Sequence, residues 1–243
     1  PPFNQKDWRA DNELIDDPRW MGYDVPPTSN ANYGWILTMA SKLSENGVAG
    51  FLLANGALSG GGEEYKIRKK LIDNGLVEAI VILPRNMFYT TDISVTLWIL
   101  NKNKNEHTRS IGDVSRNYRK RKDEILFMDL RQIGVPFEKK YIQFSEEEID
   151  RITGTYRNWQ QLNKGYEDVS EYCYSANLDE VIKKDYSLVP SKYIEFVNRD
   201  ENIAFDEKME SLKEEFTHLL KEEEQSKQEL LQVFKELGFE IEL

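Results

Sequence analysis

The side chains that most often carry out nucleophilic or metal-assisted chemistry are scarce in this sequence. Cys173 is the only cysteine, and the two histidines, His107 and His218, lie far apart along the chain. A zinc site needs several Cys or His ligands, and a Cys–His nucleophile needs both members close together. The sequence therefore predicts no metal site, and it predicts that Cys173 is a small buried residue. The carboxylates are too dispersed to indicate an acid–base pair.

Three consecutive glycines, Gly60–Gly62, precede a predicted helix and have the composition of a phosphate-binding loop. The stretch lacks the Lys-Ser/Thr pair of a P-loop, and Glu63 and Glu64 occupy the start of the helix. Their negative charge would repel a phosphate. We therefore interpret these glycines as a flexible turn.

Charge is unevenly distributed over the 243 residues, whose net charge is −11. An acidic chain is a poor non-specific ligand for nucleic acid. Five of the seven residues of Arg116–Lys122 are basic, which we interpret as a solvated loop, with phosphate contact as the less favoured alternative. No apolar run reaches the roughly eighteen residues of a membrane span. With a single cysteine, the prediction is a cytoplasmic protein without a membrane partner.

Helices alternate with apolar strands over the first half of the chain. An irregular stretch, 4–31, is followed by a predicted helix over 32–45, the strand "VAGFLLAN", the helix "EEYKIRKKLIDNG" and the strands "LVEAIVILP" and "ISVTLWILNKN". This alternation predicts an α/β sheet. The last two strands have no room for a helix between them, so they should pair antiparallel. "EILFMDL" is a further predicted strand, and Ser145 with Glu148 forms a predicted capping box.

One long helix is predicted from about Asp206 to Gly238. Apolar residues recur there at steps of three and four, with Glu223 and Ser226 as a polar break, in the pattern of a coiled-coil seam. The apolar positions are Met209, Leu212, Phe216, Leu219, Leu230, Val233 and Leu237. Residues 206–243 hold 12 acidic and 5 basic residues, so this helix is too acidic to lie on DNA and is expected to pack against other helices.

The opening Pro1-Pro2-Phe3 is a weak signal alone, but the elements that follow it resemble the second half of the sheet of S-adenosylmethionine-dependent methyltransferases. Longer strings resemble the modification (M) subunit of type I restriction-modification systems, in order and over nearly the whole chain. They include "RWMGYDVPPTSNANYGWI", "IRKKLIDNGLVEAIVILPRNMFYTTDISVTLWILNKNK" and "YCYSANLDEVIKKDYSLVPSKYI".

The resemblance implies an α/β fold: the second half of a Rossmann-like methyltransferase sheet with a final antiparallel strand pair. A C-terminal helical region ending in a long coiled-coil-type helix follows. The implied domains are the C-terminal half of a catalytic domain, 1–135, a mixed helical extension, 136–200, and a long assembly helix, 201–243.

In this family an Asn-Pro-Pro-Phe/Tyr loop holds an adenine flipped out of DNA, and S-adenosylmethionine supplies the methyl group. Carried over, the Pro1 carbonyl accepts a hydrogen bond from the exocyclic amine, Pro2 stiffens the turn, and Phe3 stacks on the base. Phe88 in "NMFYTT" matches a second aromatic that approaches the base; a core or rim role is its alternative. The family's Asn and main cofactor loop have no match in this sequence, so no cofactor-binding residue is predicted and the chain alone is expected to be inactive.

The implied partners are DNA, a specificity subunit bound through the C-terminal helix, a restriction subunit and a second copy of the modification subunit. The parent activity is transfer of a methyl group from S-adenosylmethionine to the exocyclic amine of adenine in DNA. The alternative is a non-catalytic assembly module that docks a DNA-specificity subunit, with the sheet as a scaffold.

Overall fold

The computed structural model describes residues 1–138, 140–197 and 205–237, without the side chains at 111 and 205–208. The chain divides into two compact units, Pro1–Phe196 and Val197–Leu243.

The first unit is built on a mixed five-stranded sheet with the strand order β1-β3-β2-β6-β9. The strands are β1 (Val48–Ala54), β2 (Val77–Ile82), β3 (Val95–Asn101), β6 (Glu124–Asp129) and β9 (Cys173–Asn177). Neighbours pair antiparallel, except for the parallel pair β2–β6. The predicted α/β sheet and the predicted antiparallel pairing of β2 with β3 are confirmed.

Four helices of the first unit cover the sheet: α1 (Asn32–Ser41), α2 (Gly62–Asp73), α3 (Glu146–Gln160) and α4 (Leu178–Lys183). Alternate residues of β2 point to opposite faces, as the period of a strand requires. Ile80 packs in the first apolar cluster, with α1 and α2. Val81 packs in the second, with Trp159 of α3. Helix α1 is shorter than predicted because Lys42 and Leu43 donate to carbonyls three residues back, which tightens and ends the helix.

Two short hairpins stand beside the sheet: β4 (His107–Ile111) with β5 (Val114–Tyr118), and β7 (Val135–Phe137) with β8 (Tyr141–Gln143). The prediction of a solvated loop over Arg116–Lys122 is wrong. The segment begins inside β5, and the Arg121 side chain is completely buried because it neutralises Glu78. The predicted capping box at Ser145 and Glu148 is confirmed, and Cys173 is buried as predicted.

The described part of the second unit is a long helix, α5 (Phe205–Glu236), as predicted; Gly238 lies outside the described residues. The predicted apolar seam is exposed along this helix, from 46% at Leu212 to 66% at Leu237. Over the residues that the structure covers, no helix is both long and apolar enough to cross a membrane.

Candidate active site

The carboxyl ends of strands β1, β2 and β6 lie at the same end of the sheet, where β3 begins. Ala54 pairs with Val95, and Ile82 pairs with Thr96 on one side and with Asp129 on the other. In α/β sheets, ligands bind in the crevice outside the carboxyl ends of the strands. The predicted site residues are therefore expected at this end of the sheet.

Phe3 is half-buried and packs against both apolar clusters. Since the two clusters lie on opposite faces of the sheet, a side chain that touches both lies at a margin of the sheet rather than over one face. Pro1 and Pro2 are exposed beside it. Phe3 therefore has one part fixed by the core and another part accessible from outside.

The loop behind Phe3 is held by a pair of asparagines. The Asn4 amide donates to Oδ1 of Asn32 over 3.0 Å, and Nδ2 of Asn32 donates to Oδ1 of Asn4 over 2.8 Å. Asn4 has a φ of 50°, a conformation that Asn tolerates better than most residues. Asn32 is 1% exposed at the start of α1. This pair could not be predicted from the sequence, because no local pattern links residues so far apart.

Further contacts continue this anchoring as residues 4–8 run alongside residues 27–34. The Ala31 amide donates to the Gln5 carbonyl, and the Asp7 amide donates to the Thr28 carbonyl. The Trp8 ring lies directly against Gly34, where a Cβ atom would come within 2.9 Å of it. The position of Phe3 is thus set by a hydrogen-bonded and closely packed support.

Phe88 lies in the loop between β2 and β3. It is half-buried and packs against the second apolar cluster, as Phe3 also does. Hairpin β7–β8 braces this loop, because the Ile142 amide donates to the Asn86 carbonyl over 3.0 Å. Tyr89 is 70% exposed, and its ring meets that of Tyr141 edge-on at 4.7 Å. The structure therefore brings Phe3 and Phe88 to the same cluster and adds Tyr89, an exposed aromatic that the sequence analysis did not single out.

The glycine-rich turn does not provide an anion cradle. A Cβ atom at Gly60 would lie 1.8 Å from Oε2 of Glu64, so that carboxylate already fills the space beside the glycine. Burial raises the pKa of Glu64, although Arg68 opposes this. The turn therefore does not fit the anionic end of a nucleotide or amino-acid cofactor. No group of three or more His, Cys, Asp or Glu side chains arranged to hold a metal occurs in the described part of the chain.

Comparisons with known proteins all point to one family. A family model described as N-6 DNA Methylase matches residues 1–202. The type I restriction enzyme HindI methylase subunit of Haemophilus influenzae is 39% identical over 241 residues, covering 98% of this chain and 49% of that protein. The type I restriction enzyme MjaIX methylase subunit of Methanocaldococcus jannaschii is 34% identical, covering 98% of this chain and 41% of that protein.

A solved structure agrees with these relatives. The type I restriction-modification methyltransferase subunit from Streptococcus thermophilus has a TM-score of 0.67 and 27% identity, over 81% of this chain and 37% of that chain. The chain thus spans about half or less of the length of the proteins that it resembles.

Proposed function

Because the chain belongs to the N-6 DNA methylase family, we propose that it forms the C-terminal part of a type I restriction-modification methyltransferase subunit, one that methylates the exocyclic amine of adenine in DNA. This proposal rests on the observation that Phe3 and Phe88 both pack against the second apolar cluster. An accessible aromatic at the sheet margin, held from behind by the Asn4–Asn32 pair, suits a planar base that has left the DNA stack. The sheet is then the second half of a Rossmann-like methyltransferase domain.

Each residue of the opening loop has a separate role in this proposal. A flipped adenine is recognised by stacking and by hydrogen bonds to its edge. Phe3 stacks on the base, and the Pro1 carbonyl accepts a hydrogen bond from the exocyclic amine. This bond is strengthened as positive charge develops on the nitrogen, so it favours the transition state. Pro2 fixes the backbone φ angle near −65° and keeps the carbonyl directed at the amine. Phe88 bounds the same base from the β2–β3 loop.

The methyl donor implied by the family is S-adenosylmethionine, which would supply an activated methyl group. The glycine-rich turn of this chain does not fit it, because the Glu64 carboxylate occupies the space beside Gly60. We assign no residue of this chain to the cofactor and place its main binding loop in another part of the complete protein. The residues named above bind and orient the base.

The exposed seam of α5 supports a role in assembly. Its apolar side chains, among them Phe216 at 63% exposure, cannot be buried by a lone helix, and coiled-coil partners cover such seams. The proposed partner is a helix of the DNA-specificity subunit, within a complex that also contains a restriction subunit and a second modification subunit. Residues 1–135 then supply the catalytic half-domain, 136–200 an extension that returns β9 to the same sheet, and 201–243 the assembly helix. Failure of the base-stacking test described next would favour the purely structural alternative, a scaffold module.

The test is Phe3→Ala in the complete protein, with methyl transfer to adenine followed at saturating S-adenosylmethionine. Base–aromatic stacking is worth about 1–3 kcal/mol, so the rate should fall by roughly ten- to a hundredfold while cofactor affinity stays unchanged. Phe196→Ala is the matched control, because Phe196 is an exposed phenylalanine of the same unit. A Phe3→Ala protein that keeps its rate at saturation and loses cofactor affinity would show that Phe3 is misassigned.

A further inference from the structure

The hairpin β4–β5 carries an arrangement of like charges that its own fold does not neutralise. Arg109 and Arg116 are directly opposite each other in the antiparallel register. Both are exposed, and within the described residues neither guanidinium has a hydrogen-bond or ion-pair partner. Like charges directly opposite each other on a ribbon are destabilising. An anion bound between Arg109 and Arg116 would attract both guanidinium groups and offset this repulsion.

The same face of the hairpin continues into an aromatic pair and a polar cleft. His107 and Tyr118, the next pair on that face, stack with ring centroids 4.8 Å apart. Arg109 and Tyr118 also line a cleft of about 590 Å³ between the hairpin and the main sheet. Other side chains that line this cleft are Ser44, Asn46, Asn103, Arg121 and Gln160. The hydroxyl and amide groups of these side chains and the guanidinium of Arg109 can donate hydrogen bonds to phosphate oxygens, whereas Arg121 is already paired with Glu78.

We propose that the Arg109–Arg116 face of the hairpin, with the adjoining cleft, binds the phosphate backbone of DNA. The choice of DNA rests on the proposed function and on charge. In a chain of net charge −11, residues 107–118 contain one carboxylate, Asp113, and it lies in the turn. Arginine is the side chain best suited to phosphate, because its planar fork can donate two hydrogen bonds at once.

The location of the hairpin separates this contact from the base site. The cleft is lined by Val48, which begins β1, and by Asn101, which ends β3. It therefore lies at the end of the sheet opposite the edge where β1 and β2 finish. β1 has seven residues, so the two ends are about 20 Å apart. This length corresponds to about six base pairs of duplex at 3.4 Å per pair. The hairpin would thus hold the DNA backbone to one side of the target adenine.

The test is the salt dependence of binding to a fluorescent DNA duplex, measured with the complete protein and with an Arg109→Gln/Arg116→Gln variant. Each phosphate contact contributes about 0.9 to the slope of log affinity against log salt, so losing two contacts lowers the slope by about 1.8. Between about 50 and about 200 mM NaCl, the wild-type affinity should therefore fall about twelvefold more than that of the variant. The control is Lys66→Gln/Lys192→Gln, which removes two exposed positive charges elsewhere and should retain the wild-type slope.

Equal slopes for wild type and the arginine variant, or an equal change in both double variants, would overturn the proposal. The proposal would also be overturned if the arginine variant kept its DNA affinity but lost binding to an acidic peptide, because the partner would then be a protein. At saturating DNA the methyl-transfer rate should be unchanged, while the DNA concentration for half-maximal rate rises. If wild type does not methylate adenine and the slope difference persists, the DNA contact stands and the proposed function fails.

Discussion

The buried ion pair between Glu78 and Arg121 gives the sharpest test of how the first unit is held together. Arg121 donates to Oε1 of Glu78 from Nε over 2.9 Å and from Nη2 over 2.7 Å, and both side chains are 0% exposed. The other carboxylate oxygen accepts from Asn101 over 2.7 Å and from Tyr156 over 2.9 Å. The proposed perturbation is Arg121→Met, which keeps a long side chain and removes the charge.

The magnitude follows from burial. Removing one partner of a buried pair leaves an uncompensated charge and costs about 3–5 kcal/mol. The lower part of this range is expected, because Asn101 and Tyr156 still donate to Glu78. For a domain of this size, 1 kcal/mol corresponds to about 2–4 °C in Tm, so a cost of about 3 kcal/mol should lower the thermal midpoint by about 6–12 °C. The pair Lys70–Asp24 is also short, at 2.9 Å, but its side chains are 47% and 31% exposed. Lys70→Met should cost only about 0–1 kcal/mol.

The assay is urea unfolding of wild type, Arg121→Met, Lys70→Met and the double variant Glu78→Gln/Arg121→Met. The double variant should recover at least about 1 kcal/mol relative to Arg121→Met, because a neutral Gln no longer needs a counter-charge. A loss of unfolding free energy in Arg121→Met within about 1 kcal/mol of that in Lys70→Met would show that burial does not set the cost of breaking the pair.

Three further predictions concern a buried amine, two glycines and the long helix. Burial lowers the pKa of Lys104 to about 7 from its usual 10.5. Above pH 7 the unfolded state keeps a proton that the folded state has lost. The free energy of unfolding should therefore rise by up to about 1.4 kcal/mol per pH unit. Lys104→Met should lack this rise when unfolding is measured between about pH 7 and 9, and parallel profiles would contradict it. Gly154 lies within α3 with open space around its Cβ position, so Gly154→Ala should stabilise the protein by about 0.5–1 kcal/mol. Gly134 has a φ of +116° and a Cβ position 2.5 Å from Ile142. Gly134→Ala should therefore destabilise the protein, as measured by thermal unfolding. Deleting 206–243 from the complete protein should abolish co-purification with the specificity subunit, and assembly at undiminished affinity would leave α5 without a docking role.

The sequence predicted the elements whose signals are local. The capping box at Ser145 and the strands β2 and β3 were found because residue types and periodicity act over a few positions. The insertion of β3 between β1 and β2 could not be found in this way, since strand order depends on which edges meet. The burial of Arg121 was missed because its cause, Glu78, lies 43 residues away in the sequence. Basic residues are usually exposed, and only the fold shows that this one is not.

The predicted site was accessible from sequence only in part. Phe3 and Phe88 were named through a family resemblance, and the structure adds that both pack on one cluster. The supports behind them were not predictable. The Asn4–Asn32 pair joins an irregular loop to the start of a helix, and Tyr89 gains its setting from Tyr141 of a hairpin that the sequence did not indicate.

The place of β1 at one end of the strand order has a consequence for handling this chain. Within the described residues β1 pairs on one side only, with β3, so the backbone amides and carbonyls along its outer edge have no strand partner. Its sequence, "VAGFLLA", contains no charged residue and no proline, which are the usual guards against edge-to-edge pairing. The 243-residue chain, expressed alone, should therefore associate through this strand as its concentration rises.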